Sequence, residues 1–217
     1  MRFQDAARDA RAVVYAGIQA DPLVARAADL LATADLPQRI LARAVMNGET
    51  TDAAAWRDTF PSLFGPHADT ARRDHSEAIL AAALAVADRG EQVRSHVRGA
   101  IVEELTARLL ARRVGPTVVR RERHILFDGV RAEIHPYDVT VERDAAPAAY
   151  DCKWGARGIN ADVLYQLDDA RTHAIDEDVA LEVALVVFDA QRSCAVRLAA
   201  QSAPHEGTRI VALETID

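Results

Sequence analysis

The chain is almost without lysine: of its 26 basic residues only Lys153 is a lysine, and the rest are arginine. Cysteine is nearly absent too. Cys152 and Cys194 are too few for a disulfide framework or a cysteine-rich zinc site, and a reducing cytoplasm is the expected home. No apolar run approaches the ~18 to 20 residues that a membrane-spanning helix requires. Met1 to Asp5 lacks the charged-then-apolar pattern of an export signal, so export is not expected. A phosphate-cradling glycine-rich loop and a Gly-x-Ser-x-Gly elbow are both missing, which removes support for NTPase and α/β-hydrolase chemistry. His67, His75, His96, His124, His135, His173 and His205 show no zinc-ligand spacing. Nor is there an excess of positive charge: the formal net charge of −7 argues against a protein that simply coats nucleic acid. It leaves open an enzyme whose acids sit in a metal site.

What is present is a globular composition. With 217 residues, half of them apolar and 27% charged, the chain can bury a sizeable core, as one ordinary domain or two small ones. Residues 2 to 90 read as helices. Phe3 to Gln19 carries apolar residues at helical spacing (Ala7, Ala10, Val13, Val14, Gly17, Ile18). Asp21-Pro22 and Asp35-Leu36-Pro37 supply helix starts, Asn47-Gly48 and Gly65-Pro66 supply stops, and Asp69 to Asp88 is a long alanine-rich helix. A further helix runs from about Glu91 to Arg113. Strand-like runs follow at Thr117 to Phe127, Val130 to Val141 and Ala148 to Trp154. Ala161 to Ile175 returns to helix, Leu181 to Phe188 has the continuous hydrophobicity of a strand covered on both faces, and Cys194 to Leu198 and Thr208 to Leu213 read as closing strands. The predicted architecture is an α/β domain over 91–217, with a mixed sheet flanked by helices, preceded by an all-α domain over 1–90. That helical part carries 10 arginines against 12 acids, a net −2 that suits dimerisation or partner docking better than DNA binding.

The chemistry-bearing residues fall on two neighbouring strand segments. Residues two apart on a strand share a face, so Asp151 and Lys153 point one way, Tyr150 and Cys152 the other. Asp138 lies on the preceding strand, and Asp144-Ala145-Ala146-Pro147 supplies the turn that would bring it alongside Asp151. Two close carboxylates repel unless a cation lies between them, and Mg²⁺ (or Mn²⁺ in its place) suits such hard oxygen donors. A lysine kept where arginine fills every other cationic position points to a role for a compact ammonium rather than a planar guanidinium.

Glu103 on a helix, then Asp138, then Asp151-Cys152-Lys153, resembles the PD-(D/E)xK nuclease superfamily over roughly residues 98 to 188. Arg98-Gly99-Ala100-Ile101-Val102-Glu103-Glu104-Leu105 is similar to that family's first core helix, and Gln166 in Tyr165-Gln166-Leu167 to the glutamine often found on its following helix. Pro136 departs from the pattern by lying two residues before Asp138. The helix acid is Glu103 or Glu104; Glu103 is preferred because helical spacing sets it with Gly99, Ala107, Leu110 and Val114. The resemblance implies a restriction-endonuclease-like fold and metal-dependent phosphodiester hydrolysis. Asp138, Asp151 and the Cys152 carbonyl would hold the metal, with Glu103 assisting directly or through water, and Lys153 would orient the attacking water and stabilise developing charge. DNA is the favoured substrate, in a defence, repair or recombination setting.

Each of these residues also has a plain structural reading. Asp151 and Lys153 could form an ion pair on a solvated face, Glu103 and Gln166 could be ordinary helix residues, and His135 a packed strand histidine. Trp154 could stack on a base, though a core aromatic is the more common use. Arg108, Arg112, Arg113, Arg120, Arg121, Arg123 and His124 form the densest basic stretch; Arg112, Arg113, Arg120 and Arg121 are its candidate contacts to a nucleic-acid backbone, against an arginine-rich helix end favoured by the helix dipole. The low overall positive charge favours a homodimer or a larger complex. A non-catalytic interaction module and an RNA-directed nuclease are the alternatives.

Overall fold

The computed structural model describes residues 1–6, 10–131, 135–204 and 206–217, with the side chains of 10–13 outside the description. Ala7, Ala10 and Val13 of the first predicted helix, the middle of the predicted strand 130–141, and His205 therefore lie wholly or in their side chains outside it. Two compact units result: Met1–Asp9 with Thr106–Asp217, and Ala10–Leu105. The helix break at Gly90 is present, but the division falls inside a helix between Leu105 and Thr106 instead of at the 90/91 boundary.

The Ala10–Leu105 unit is helical. It contains α1 (Ala10–Gln19), α2 (Pro22–Leu31), α3 (Leu36–Asn47), α4 (Ala53–Thr59), α5 (Pro61–Phe64), α6 (Thr70–Ala87) and the first part of α7 (Glu91–Val114). The starts follow the sequence signals closely. Asp21 caps α2 through the Leu23 N–H, and Asp35 and Gln38 form a reciprocal capping box at α3. Each cap satisfies amides that the helix itself cannot. The core of this unit is aliphatic, with Leu31, Leu41, Leu63, Ile79 and Leu80 fully buried. Burying one such side chain stabilises by about 1.5 to 3 kcal/mol. Polar links cross it as well: Gln38 Nε2 on α3 donates to Ser76 Oγ (3.0 Å) and to the Arg72 carbonyl (3.2 Å) on α6.

The other unit is a mixed α/β structure built on a seven-stranded sheet. Its strands are β1 (Arg2–Asp5), β2 (Val119–Phe127), β3 (Val130–Arg131), β4 (Tyr137–Val141), β5 (Ala148–Lys153), β6 (Glu182–Val187) and β7 (Arg209–Val211), with α8 (Ala161–Asp176) and α9 (Gln191–Ala199) between the later ones. The order is β1-β2-β4-β5-β6-β7, with β3 paired to β2. β1 to β5 run antiparallel in sequence along that order, and β5, β6 and β7 are parallel to one another. Parallel neighbours need crossovers, and α8 and α9 supply them. α8 packs its Leu164, Leu167, Ala170 and Ala174 into a core with Ala149, Leu185 and Val187 of the sheet.

Three predicted elements differ. Phe3 belongs to a strand, β1, and not to a helix: the segment pairs with β2 (Phe3↔Ile125), and Phe3 packs against the sheet core. Val130 to Val141 is two strands, β3 and β4. Cys194 to Leu198 is helical. Its alternation of Cys194, Val196 and Leu198 reads as a strand, but Cys194 and Leu198 are also one helical turn apart and both meet the core, while Val196 is 66% exposed.

Candidate functional site

The site forms where β4 and β5 part. Their antiparallel pairing runs from Val141↔Ala148 to Val139↔Tyr150. One step further the register would set Asp138 against Asp151. There the backbone ladder gives way to a side chain: Asp138 Oδ2 accepts a hydrogen bond from the Cys152 N–H at 2.6 Å. Within a strand a residue's N–H and C=O point to the same side. The Cys152 carbonyl therefore faces β4 beyond the last backbone pair, which suits the role expected of it. The Lys153 carbonyl points the other way and accepts from the Phe188 N–H at 2.9 Å. The Cys152 side chain is buried, with its thiol donating to Thr106 Oγ1.

Asp151 is 7% exposed and pairs with the Lys153 ammonium. Burial pulls that ammonium down, but the charges of Asp151 and Asp138 outweigh it and push Lys153 up to about 12. Since the value lies above that of a free lysine, any stability the pair contributes is fully present at neutral pH and is lost only as pH rises through the folded value. Lys153 is a fixed cation here, unsuited to act as a general base near pH 7.

The loop after β5 holds this lysine in place. A Cβ added to Gly158 would stand 2.8 Å from Lys153 Cβ and Cγ and 2.9 Å from Cδ, so only glycine lets the loop close over the lysine stem. The loop is anchored by Asp189, buried at the end of β6, whose Oδ2 accepts from the Ala156 N–H (3.0 Å) and Oδ1 from the Ala190 N–H (2.7 Å). Trp154 stacks on Phe188 with ring centroids 5.1 Å apart, so it is a packing aromatic. Gly158→Ala is expected to destabilise by about 1 to 3 kcal/mol through overpacking against the stem. A denaturation midpoint equal to that of the unsubstituted protein would contradict this contact.

Asp138, Asp151 and Lys153 line one cleft of about 450 Å³ together with His135, Tyr165 and Gln166. Gln166 is buried, and its carbonyl accepts from the Tyr137 hydroxyl at 3.2 Å. His135 is exposed at the cleft instead of packed in a strand. Asp162 and Asp169 of α8 also line the cleft. Four carboxylates against one ammonium make it strongly negative, an environment that draws cations and repels a bare phosphate.

Sequence reasoning missed one acid. Flanking pairs Arg121↔Val139 and Arg123↔Tyr137 set Glu122 across from Asp138, and carboxylate oxygens of the two lie within 4.8 Å of one another. Glu122 adopts a left-handed backbone (φ 52°), a conformation that costs a non-glycine residue on the order of 1 kcal/mol or more and that clusters at functional sites. The available signal was its isolation: it is the lone acid in the basic run Arg120-Arg121-Glu122-Arg123-His124. Glu103, on the part of α7 that belongs to the helical unit, is 4% exposed. Within that unit its Oε1 accepts from the Tyr15 hydroxyl and its Oε2 from Gln19 Nε2 (2.8 Å). Glu104 is half-buried.

Of the basic stretch, Arg112 and Arg121 each come close enough to Arg108 to repel it. Burial first, then the charges of Arg112 and Arg121, hold the Arg108 guanidinium below its usual range. Arg112, Arg113 and Arg120 are exposed. Arg123 instead forms ion pairs with Asp5 and Glu142, so it serves the sheet.

The fold and the site thus define an α/β protein with an acid-lined cleft at the divergence of two strands. No family model matches the chain, and neither a curated protein nor a solved structure matches it. Among the described residues, no helix is long and apolar enough to cross a membrane.

Proposed function

We propose that the sheet-containing unit is a metal-dependent nuclease with a restriction-endonuclease-like fold that hydrolyses phosphodiester bonds, DNA favoured over RNA. The observation that carries this reading is the meeting of Asp138, Asp151 and the protein's single lysine in one cleft. The donor set is all hard oxygen, which fits Mg²⁺, with Mn²⁺ as a substitute. Asp138, Asp151 and the Cys152 carbonyl would hold the ion, and Glu122 joins the set from β2. When bound, the ion would supply Lewis-acid activation of water and neutralise charge on the scissile phosphate. Lys153, kept protonated by its carboxylate neighbours, orients the attacking water and stabilises the negative charge that develops. Gln166 positions substrate from α8. Arg112, Arg113, Arg120 and Arg121 offer cations to the backbone beyond the cleft. A cytoplasmic homodimer, or a place in a larger defence, repair or recombination complex, completes the proposal.

A second reading, a non-catalytic module, is favoured by the Asp151–Lys153 ion pair, which by itself could be structural. Titration with Mg²⁺ or Mn²⁺ separates the two. The nuclease reading expects a saturable rise in melting temperature that vanishes in Asp138→Asn. No response in the unsubstituted protein would support the module.

A further inference from the structure

A second cleft, of about 410 Å³, lies at the other end of β5. It is lined by Arg113 from the end of α7, Arg143 after β4, Ala148 and Tyr150 of β5, Glu182 of β6 and Arg209 of β7. Three arginines from three separate stretches of the chain thus line one cleft beside a buried tyrosine. Among the described residues, Arg209 pairs with a side-chain carboxylate there, that of Glu182. Among the described residues, Arg113 donates to a backbone oxygen of Asp217, the last residue of the sequence, at 3.5 Å, and Arg143 has no hydrogen bond or ion pair. The cluster therefore carries more positive than negative charge, and like charges gathered in one concavity repel unless an anion lies among them.

We propose that this cleft is a phosphoryl-binding site in which Arg113, Arg143 and Arg209 grip the anion beside the Tyr150 ring. Arginine's planar fork matches phosphate oxygens in pairs, and several guanidiniums around one cleft suit an anion with several oxygens better than a single carboxylate. Burial first, then Glu182, pushes the Tyr150 phenol up, so its hydroxyl keeps its proton at neutral pH; the three guanidiniums pull in the opposite direction, a sign of how near they lie. The volume exceeds that of a lone phosphate and falls within the roughly 300 to 1,000 Å³ of small-molecule sites, which points to a phosphate carried on an organic group. Two sources present that chemistry: a free nucleotide, or a phosphate of a polynucleotide.

The site is separate from the acidic cleft and does not rest on the nuclease reading. Ala148 lies here and Lys153 there, roughly 17 Å apart along an extended strand, and Tyr150 points to the opposite face of the sheet from Asp151 and Lys153. One phosphate cannot occupy both.

Calorimetric titration of the full chain in EDTA tests the proposal, with pyrophosphate, adenosine monophosphate and a single-stranded oligonucleotide as separate ligands and adenosine as the control. Saturable binding of at least one phosphate ligand is expected, none of adenosine, with affinity at least about tenfold weaker in Arg143→Glu and Arg209→Gln and unchanged in Asp138→Asn. Preference for the mononucleotide or for the oligonucleotide assigns the source. Absence of saturable binding by all three, equal affinity in Arg143→Glu, or loss in Asp138→Asn overturns it.

Discussion

Lys153→Met is expected to lower Mg²⁺-dependent cleavage by about 10² to 10³-fold, the usual cost of removing one preorganised stabiliser of transition-state charge. Methionine keeps an unbranched stem under Gly158, so the loop that packs there is not disturbed. What is lost is the ammonium that Asp151 and Asp138 hold in its charged form. Lys153→Ala should be equally inactive, and its circular dichroism should match that of the unsubstituted protein. Arginine is not a conservative replacement: a guanidinium is larger and planar, and the closed loop over the stem leaves little freedom to place it. Lys153→Arg should therefore stay well below the parent rate. Steady-state cleavage by the three variants checks all of this, and parent-like rates in the methionine and alanine forms would remove lysine from the mechanism.

The largest expected effect on stability lies one shell out, at Asp189. Its two carboxylate oxygens satisfy the Ala156 and Ala190 amides, tying the loop after β5 to the end of β6. Asp189→Ala leaves both donors without that partner, the first of them buried, at about 1 to 3 kcal/mol for each unsatisfied group. A total loss of about 2 to 6 kcal/mol follows, read as a shift in the urea midpoint at constant slope. Asp189→Asn, which keeps an acceptor oxygen, should lose less. Because the loop also carries Gly158, a weaker grip on Lys153 should appear as reduced cleavage even where the variant remains folded. An unchanged midpoint in Asp189→Ala would show that water replaces the carboxylate without cost.

Much of this was legible locally. The alternation around Asp151 and Lys153 fixes which residues share a face, and the continuous apolar run of β6 marks a strand covered on both sides. Helix starts at Asp21, Asp35 and Asp69 follow from cap chemistry that involves only neighbouring residues. What escaped depends on distant partners. β1 is a strand because β2 pairs with it from more than a hundred residues away, a contact no local period encodes. Cys194 to Leu198 fits both periods, and the choice was made by which face meets the core. Glu122 was hidden because its importance comes from a backbone conformation and from the strand opposite, neither visible in Arg-Arg-Glu-Arg. The bond from Cys152 N–H to Asp138 could not be foreseen either, since it exists only because two strands part at that point.

Cleavage of a nucleic-acid panel (duplex DNA, single-stranded DNA, branched DNA and RNA) by the purified full chain decides the matter most directly. Cutting of DNA in Mg²⁺, abolished by EDTA and by Lys153→Ala, is the expected result. Intact substrates throughout, or cutting at the parent rate in EDTA or in the alanine variant, would contradict a nuclease built on Asp138, Asp151 and Lys153.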